Sequence, residues 1–127
     1  MPSSVKQMLD SANEAVPKVS VDEARRLVDE EGALLVDVRD APELEQSGKL
    51  EGALNVSRGM VEFRADPDLP YHNPEFRKDR PVILYCASGG RSALSGKALK
   101  DMGYDRVYNL GGFKDAADAG FATEQAS

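Results

Sequence analysis

The chain has 127 residues, 41% hydrophobic and 30% charged, a balance that fits one globular domain and excludes a disordered chain. No apolar run approaches the roughly 20 residues of a membrane span, and Met1 to Gln7 lack the hydrophobic stretch of a secretory signal, so a cytoplasmic protein with no membrane partner is expected. The net charge is −6, and the excess acid all lies in residues 1–57, with six Lys/Arg against twelve Asp/Glu; with no Lys/Arg run, nucleic acid is not an expected partner.

Val5, Met8, Leu9 and Ala12 recur at helical spacing, which predicts an amphipathic helix closed before Pro17. Residues 1–17 therefore read as a helical extension packed on a domain spanning 18–122, with 123–127 as a tail. Ser20-Val21-Asp22-Glu23 is a capping box, and Ala24, Leu27 and Val28 continue one apolar face to a stop at Gly32. Ala33 to Val36 is apolar without interruption before Asp37-Val38-Arg39, the pattern of a strand buried on both faces of a parallel sheet.

Leu54-Asn55-Val56 is a shorter strand, Val82 to Tyr85 the strongest, and Arg106 to Leu110 the last, just before Gly111-Gly112. Helical stretches separate most of them, which predicts a parallel α/β sheet with its ligand site beyond the carboxyl ends of the strands. Cys86, Asp37 and Arg39 fall at such ends. Between Ser57 and Pro81 runs a Pro-rich connection with a short helical piece at Met60 to Ala65. A connection of that length is expected to cover the site, with Phe63, Tyr71 and Phe76 lining an apolar rim.

Cys86 is the sole cysteine, placed where Val82-Ile83-Leu84-Tyr85 breaks into Ala87-Ser88-Gly89-Gly90-Arg91 and then a helix. A strand ending in a small-residue loop that feeds a helix gathers backbone N–H groups around one sulfur, and Arg91 adds a fixed positive charge. Both influences favour thiolate over thiol, so Cys86 reads as a nucleophile; the plainer reading is a small buried hydrophobe at a strand end. In the following helix, Leu94, Ala98 and Met102 are expected to face the sheet. One Cys and one His, His72, cannot by themselves supply a zinc site, so no metal is expected, and His72 reads as a surface or lid residue.

Four segments in order resemble the single-domain rhodanese family of sulfurtransferases. Leu35-Val36-Asp37-Val38-Arg39 looks like its Asp-x-Arg strand, and Gly48-Lys49-Leu50-Glu51-Gly52-Ala53-Leu54-Asn55 its Gly-His-Ile-x-Gly-Ala segment. Cys86 to Ser92 is similar to its active loop, and Asn109-Leu110-Gly111-Gly112-Phe113 to its closing Gly-Gly motif. Lys49 replaces the usual histidine, and no tryptophan follows Gly111-Gly112.

The resemblance implies a three-layer α/β fold with a central five-stranded parallel sheet flanked by helices. It implies that Cys86 takes sulfane sulfur from thiosulfate or a related anionic donor, holds it as a persulfide, and yields it to a thiol, to cyanide or to a sulfur-accepting protein, with no cofactor. Ala87, Ser88, Gly89, Gly90 and Ser92 would supply the persulfide loop, and Arg91 would bind the donor's oxyanion end. A relative on this fold, the dual-specificity phosphatase of the cell-division-cycle type, encloses five residues between Cys and Arg. Here four intervene, a ring that suits sulfur better than phosphate. A cysteine-dependent phosphatase or arsenate reductase is the minor enzymatic alternative, and a module that docks on a partner without turnover the non-enzymatic one.

Asp37 and Arg39 lie two apart on one strand and so point to one side. A buried ion pair bracing the loops is favoured for them over direct catalysis. Arg58 is read either as a second substrate contact or as a solvated surface residue.

Overall fold

A computed structural model describes residues 3–126. Its helices are α1 (Val5–Ala15), α2 (Val21–Glu31), α3 (Ala41–Ser47), α4 (Val61–Ala65, preceded by a 3-10 turn at Arg58–Met60), α5 (Gly90–Asp101) and α6 (Phe113–Asp118). Its strands are β1 (Leu34–Asp37), β2 (Lys49–Leu50), β3 (Leu54–Asn55), β4 (Val82–Cys86), β5 (Val107–Gly112) and β6 (Thr123–Glu124).

Side chains alternate across a strand, so a strand buried on both faces feeds two cores. Leu34, Val36, Val82, Leu84 and Cys86 pack on one face with Val61 and Ala65 of α4 and Leu99 of α5. Leu35, Ile83 and Tyr85 pack on the other with Ala24 and Leu27 of α2 and Ala116 of α6. The result is three layers, helices over both faces of a parallel sheet ordered β3-β1-β4-β5.

Among the described residues this sheet has four strands, not the five that the family resemblance implied. The place of a fifth is taken by residues 17–19, where Lys18 makes a single parallel bridge to Asn109. The Pro17 carbonyl accepts from the Asn109 N–H at 2.9 Å, and the Val19 N–H donates to the Asn109 carbonyl at 3.1 Å. Nothing extends this rung. Pro17 has no N–H to give, and Ser20 already caps α2, its hydroxyl accepting from the Glu23 N–H at 3.1 Å. Residues 123 and 124, read from the sequence as the start of a tail, pair antiparallel with β2 in a separate two-stranded ribbon.

α5 turns a different face to the sheet than its Leu94, Ala98 and Met102 suggested. Its buried residues are Ser92, Ala93, Ser95, Gly96 and Leu99. Small side chains let the helix sit close: a Cβ on Gly96 would stand 3.0 Å from both methyls of Val16 and 3.3 Å from Val107. Leu94 and Ala98 instead border α1 in a groove of about 380 Å³ shared with Met8, Lys97 and Arg58. Met102 keeps a place at the edge of the α5-side core.

The Pro-rich connection is pinned at the far end of α5 from Cys86. The Tyr104 hydroxyl, just past the helix C-terminus, donates to the Ala65 carbonyl at 2.7 Å. Phe76, expected at a rim, is 2% exposed and meets Tyr104 edge-on, with ring centres 6.4 Å apart. Its ring is large enough to fill the space between α4 and the end of α5, so burial wins. Phe63 and Tyr71 do face outward, and the His72 Nε2 lies 3.2 Å from the Phe76 carbonyl, within the connection itself.

Candidate active site

β4 delivers Cys86 to the α5 side of the sheet, and the chain then turns through Ala87 and Ser88 to Gly89, the N-cap of α5. The turn requires φ of +102° at Gly89, a conformation that a side chain opposes. Its tightness brings the Gly89 N–H to 3.0 Å from the Cys86 sulfur, to which it donates. The Ser92 hydroxyl reaches the same sulfur at 3.5 Å from the first turn of α5. Cys86 is 1% exposed, at the bottom of a loop whose Ala87 and Ser88 face solvent.

Burial alone pushes the thiol pKa up, since it penalises the charged form. Hydrogen bonds from the Ser92 hydroxyl and from the N–H groups of Ser92, Ser88 and Gly89 outweigh it, and the net displacement is downward. A small hydrophobe at a strand end would show the opposite sign. Here the Gly89 amide is aimed at the sulfur.

The other wall of the cradle is the end of β5. Leu84 pairs with Asn109 but Tyr85 with Gly111, so Leu110 bulges out and Gly111-Gly112 slides against the loop. A Cβ on Gly112 would lie 2.5 Å from the Ala87 carbonyl oxygen, so the loop can close only over a glycine. Phe113, where the family often has tryptophan, stacks on Tyr85 at 6.3 Å and lies 4.4 Å beneath the Arg39 guanidinium.

Asn109 is a site residue with no role assigned to its side chain from the sequence. Its Nδ2 donates to the Gly89 carbonyl at 3.1 Å, and its Oδ1 accepts from the Gly111 N–H at 2.9 Å and from the Ser92 hydroxyl at 2.8 Å. One side chain thus ties both walls to the group that touches the sulfur. The only signal in the sequence was an amide beside the Gly-Gly pair.

Arg91 projects from the first turn of α5 into a bidentate pair with Glu43, at 2.8 and 2.9 Å. Glu43 also accepts from the Asp40 N–H at 2.8 Å, closing the start of α3. The Arg91 hydrogen bonds and, against partial burial, the Asp40 N–H hold the Glu43 pKa down at about 2 from its usual 4.5. The Arg91 pKa is raised, by Glu43 first and by the Cys86 charge among the smaller influences. Glu43 went unread in the sequence, although Asp40-Ala41-Pro42-Glu43 carries a helix-start signature.

Asp37 and Arg39 form the expected buried ion pair, at 2.8 Å with side chains 0% and 4% exposed. Arg39 also donates to the Ser47 hydroxyl and the Gly48 carbonyl, both at 2.8 Å, so the pair clamps α3 to the end of β1. Lys49 does structural work as well, donating to the Ala53 carbonyl and to Glu124, each at 2.9 Å. Arg58 pairs with Glu62 at 2.8 Å on the edge of the α1–α5 groove, with no contact to Cys86. Among the described residues no group of three His, Cys, Asp or Glu side chains is placed to hold a metal ion.

The model of the Rhodanese-like domain family matches residues 20–119. A sulfurtransferase of Allochromatium vinosum is 38% identical over 89 residues, 70% of this chain and 75% of that protein. The thiosulfate sulfurtransferase PspE of Escherichia coli is 35% identical over 82 residues, 65% of this chain and 72% of its own. A solved structure from Rhodopseudomonas palustris, described as of unknown function and a possible tyrosine phosphatase, superimposes with a TM-score of 0.86 at 39% identity, covering 98% of this chain and 99% of that one.

Proposed function

The chain belongs to the Rhodanese-like domain family, and on that premise we propose that it is a sulfurtransferase in which Cys86 carries sulfane sulfur as a persulfide. The observation that carries this reading is the Gly89 N–H aimed at the Cys86 sulfur from 3.0 Å, in a loop that lowers the thiol pKa despite burial.

The thiolate attacks the outer sulfur of the donor. A new S–S bond forms at Cys86, the bond between that sulfur and the rest of the donor breaks, and its electron pair leaves with sulfite or with a thiolate. An acceptor, cyanide or a thiol, then attacks the outer persulfide sulfur and returns Cys86 as thiolate. Splitting one transfer into two is covalent catalysis, and each half conserves electrons without an outside oxidant or reductant. The loop from Ala87 to Ser92 offers its N–H groups to the developing negative sulfur, which is electrostatic preorganisation. Arg91 meets a donor's charged end only if its fork with Glu43 opens, Asp37 and Arg39 brace the loop's surroundings, and Arg58 becomes a substrate contact only if its pair with Glu62 opens.

Single-turnover mass spectrometry tests this. Thiosulfate or a thiol persulfide should add about 32 Da, the one sulfur atom that a covalent intermediate requires, with none added to Cys86→Ser and the adduct removed by cyanide. An unchanged mass with every donor contradicts the reading. Phosphate release from an aryl phosphate would favour the phosphatase alternative instead. Loading without return to any small thiol would mark a module that hands sulfur to a partner protein.

A further inference from the structure

Among the described residues, the four cations Arg39, Arg58, Arg91 and Lys114 at the carboxyl ends of the parallel strands are already engaged by carboxylates. Arg39 pairs with Asp37, Arg58 with Glu62, Arg91 with Glu43, and Lys114 with Asp118. These pairs are not equal. Those of Arg58 and Lys114 link neighbouring turns of one helical segment near solvent and yield easily. The Arg91–Glu43 pair is a two-pronged fork whose carboxylate is also held by the Asp40 N–H, so both partners are fixed in place. Asp40 adds a second negative charge that acts on Arg91.

A dianion such as thiosulfate therefore meets a neutralised guanidinium flanked by two carboxylates. To bind Arg91 it must break the fork and leave the Glu43 charge without its partner. The target sulfur is also deep, 1% exposed beneath the loop. A thiol persulfide, R–S–SH, presents a single terminal sulfur with no oxyanion head to seat at the mouth.

Resting on the sulfur-transfer reading, we infer that the Arg91–Glu43 pair selects thiol-borne persulfides over oxyanion donors, with Glu43 the specificity-determining residue. The reaction taken is Cys86–S⁻ plus R–S–SH, giving Cys86–S–SH and R–S⁻: the Cys86 S–S bond forms as the donor S–S bond breaks, and the electron pair leaves on the donor thiolate. The supplying reaction must accordingly be one that builds persulfide on a low-molecular-weight or protein thiol.

The test compares the rate of sulfur loading on Cys86 from thiosulfate and from 2-hydroxyethyl persulfide, made in solution from hydroxyethyl disulfide and sulfide, for the wild type, Glu43→Gln and Asp40→Asn. Persulfide is expected to load the wild type at least about tenfold faster. The thiosulfate-to-persulfide ratio is expected to rise about tenfold in Glu43→Gln and by a smaller factor in Asp40→Asn, because both remove a repulsive charge from the path of the dianion. Asp40→Asn retains a capping side chain, so it serves if Glu43→Gln alters the fold. Equal loading of the wild type by both donors, or an unchanged ratio in both variants, overturns the selectivity. Failure of both donors to load Cys86 overturns the sulfur-transfer reading beneath it as well.

Discussion

The Ser92 hydroxyl stands 2.8 Å from the Asn109 side-chain oxygen, and its single hydrogen has a second acceptor in the Cys86 sulfur at 3.5 Å. Asn109 cannot turn over to resolve the competition. Its amide is fixed by the Gly89 carbonyl on one side and the Gly111 N–H on the other. A hydroxyl hydrogen turned from Asn109 to the sulfur would favour the ionised form of Cys86 over the protonated one. Asn109 loses little in that exchange, because its oxygen keeps the Gly111 N–H.

Substituting Asn109 separates its two jobs. Asn109→Ala leaves the Gly89 carbonyl and Gly111 N–H without their partner and should lower stability by about 1–3 kcal/mol in urea melts. Asn109→Asp keeps the shape but sets a negative charge beside the thiolate, so the Cys86 titration midpoint should rise. An unmoved midpoint in Asn109→Asp would show that the amide does not govern the sulfur's surroundings.

Gly112→Ala tests the fit of the loop against β5. With the Ala87 carbonyl oxygen 2.5 Å from the new methyl, the loop must back away and its amides lose their aim. The Cys86 midpoint should climb toward the free-cysteine value of about 8.5, and sulfur loading should fall by at least about tenfold. Wild-type loading by a folded Gly112→Ala protein would mean that loop placement is unimportant.

Arg39→Met should act on stability. It strands the Asp37 carboxylate, 0% exposed, in the interior, a loss of about 3–5 kcal/mol for breaking a buried pair from one side. Chemical denaturation measures it, and a loss below about 1 kcal/mol, the scale of surface pairs, would show that the clamp on α3 is incidental.

Glu43 gives the fold an acid dependence of known sign. Its folded pKa is depressed to about 2 from 4.5, so its stabilisation is complete above 4.5 and drains away as pH falls toward 2. The stability difference between wild type and Glu43→Gln should be flat above that window and close within it. The pair is about a third exposed, so the difference is modest. A gap that persists undiminished below pH 2.5, a value inside the window set by about 2 and 4.5, would contradict the assignment.

The strands and the tight loop after Cys86 were legible because each left a local trace. Ala33 to Val36 and Val82 to Tyr85 are apolar without interruption, as burial on both faces demands, and the small residues after Cys86 are what a tight loop requires. What escaped was set by contacts between distant segments. Glu43 and Asn109 lie 48 and 17 residues from their partners Arg91 and Ser92, and no periodicity reports such pairings. The inward face of α5 was misjudged for a related reason: its largest apolar residues suggested Leu94 and Ala98, whereas close approach to Val16 and Val107 selected Ala93 and Gly96. The fifth strand was a property of the family, and Pro17 with the Ser20 cap reduces it to one bridge.

The most direct test is the ultraviolet absorbance of the thiolate, titrated with pH in the wild type against Cys86→Ser, which removes the only thiol. A midpoint clearly below the ordinary cysteine value of about 8.5 is expected, moving upward in Ser92→Ala as one hydrogen bond to the sulfur is lost. A midpoint at or above that ordinary value would show that burial prevails over the loop amides, and with it the case for Cys86 as a sulfur carrier would fall.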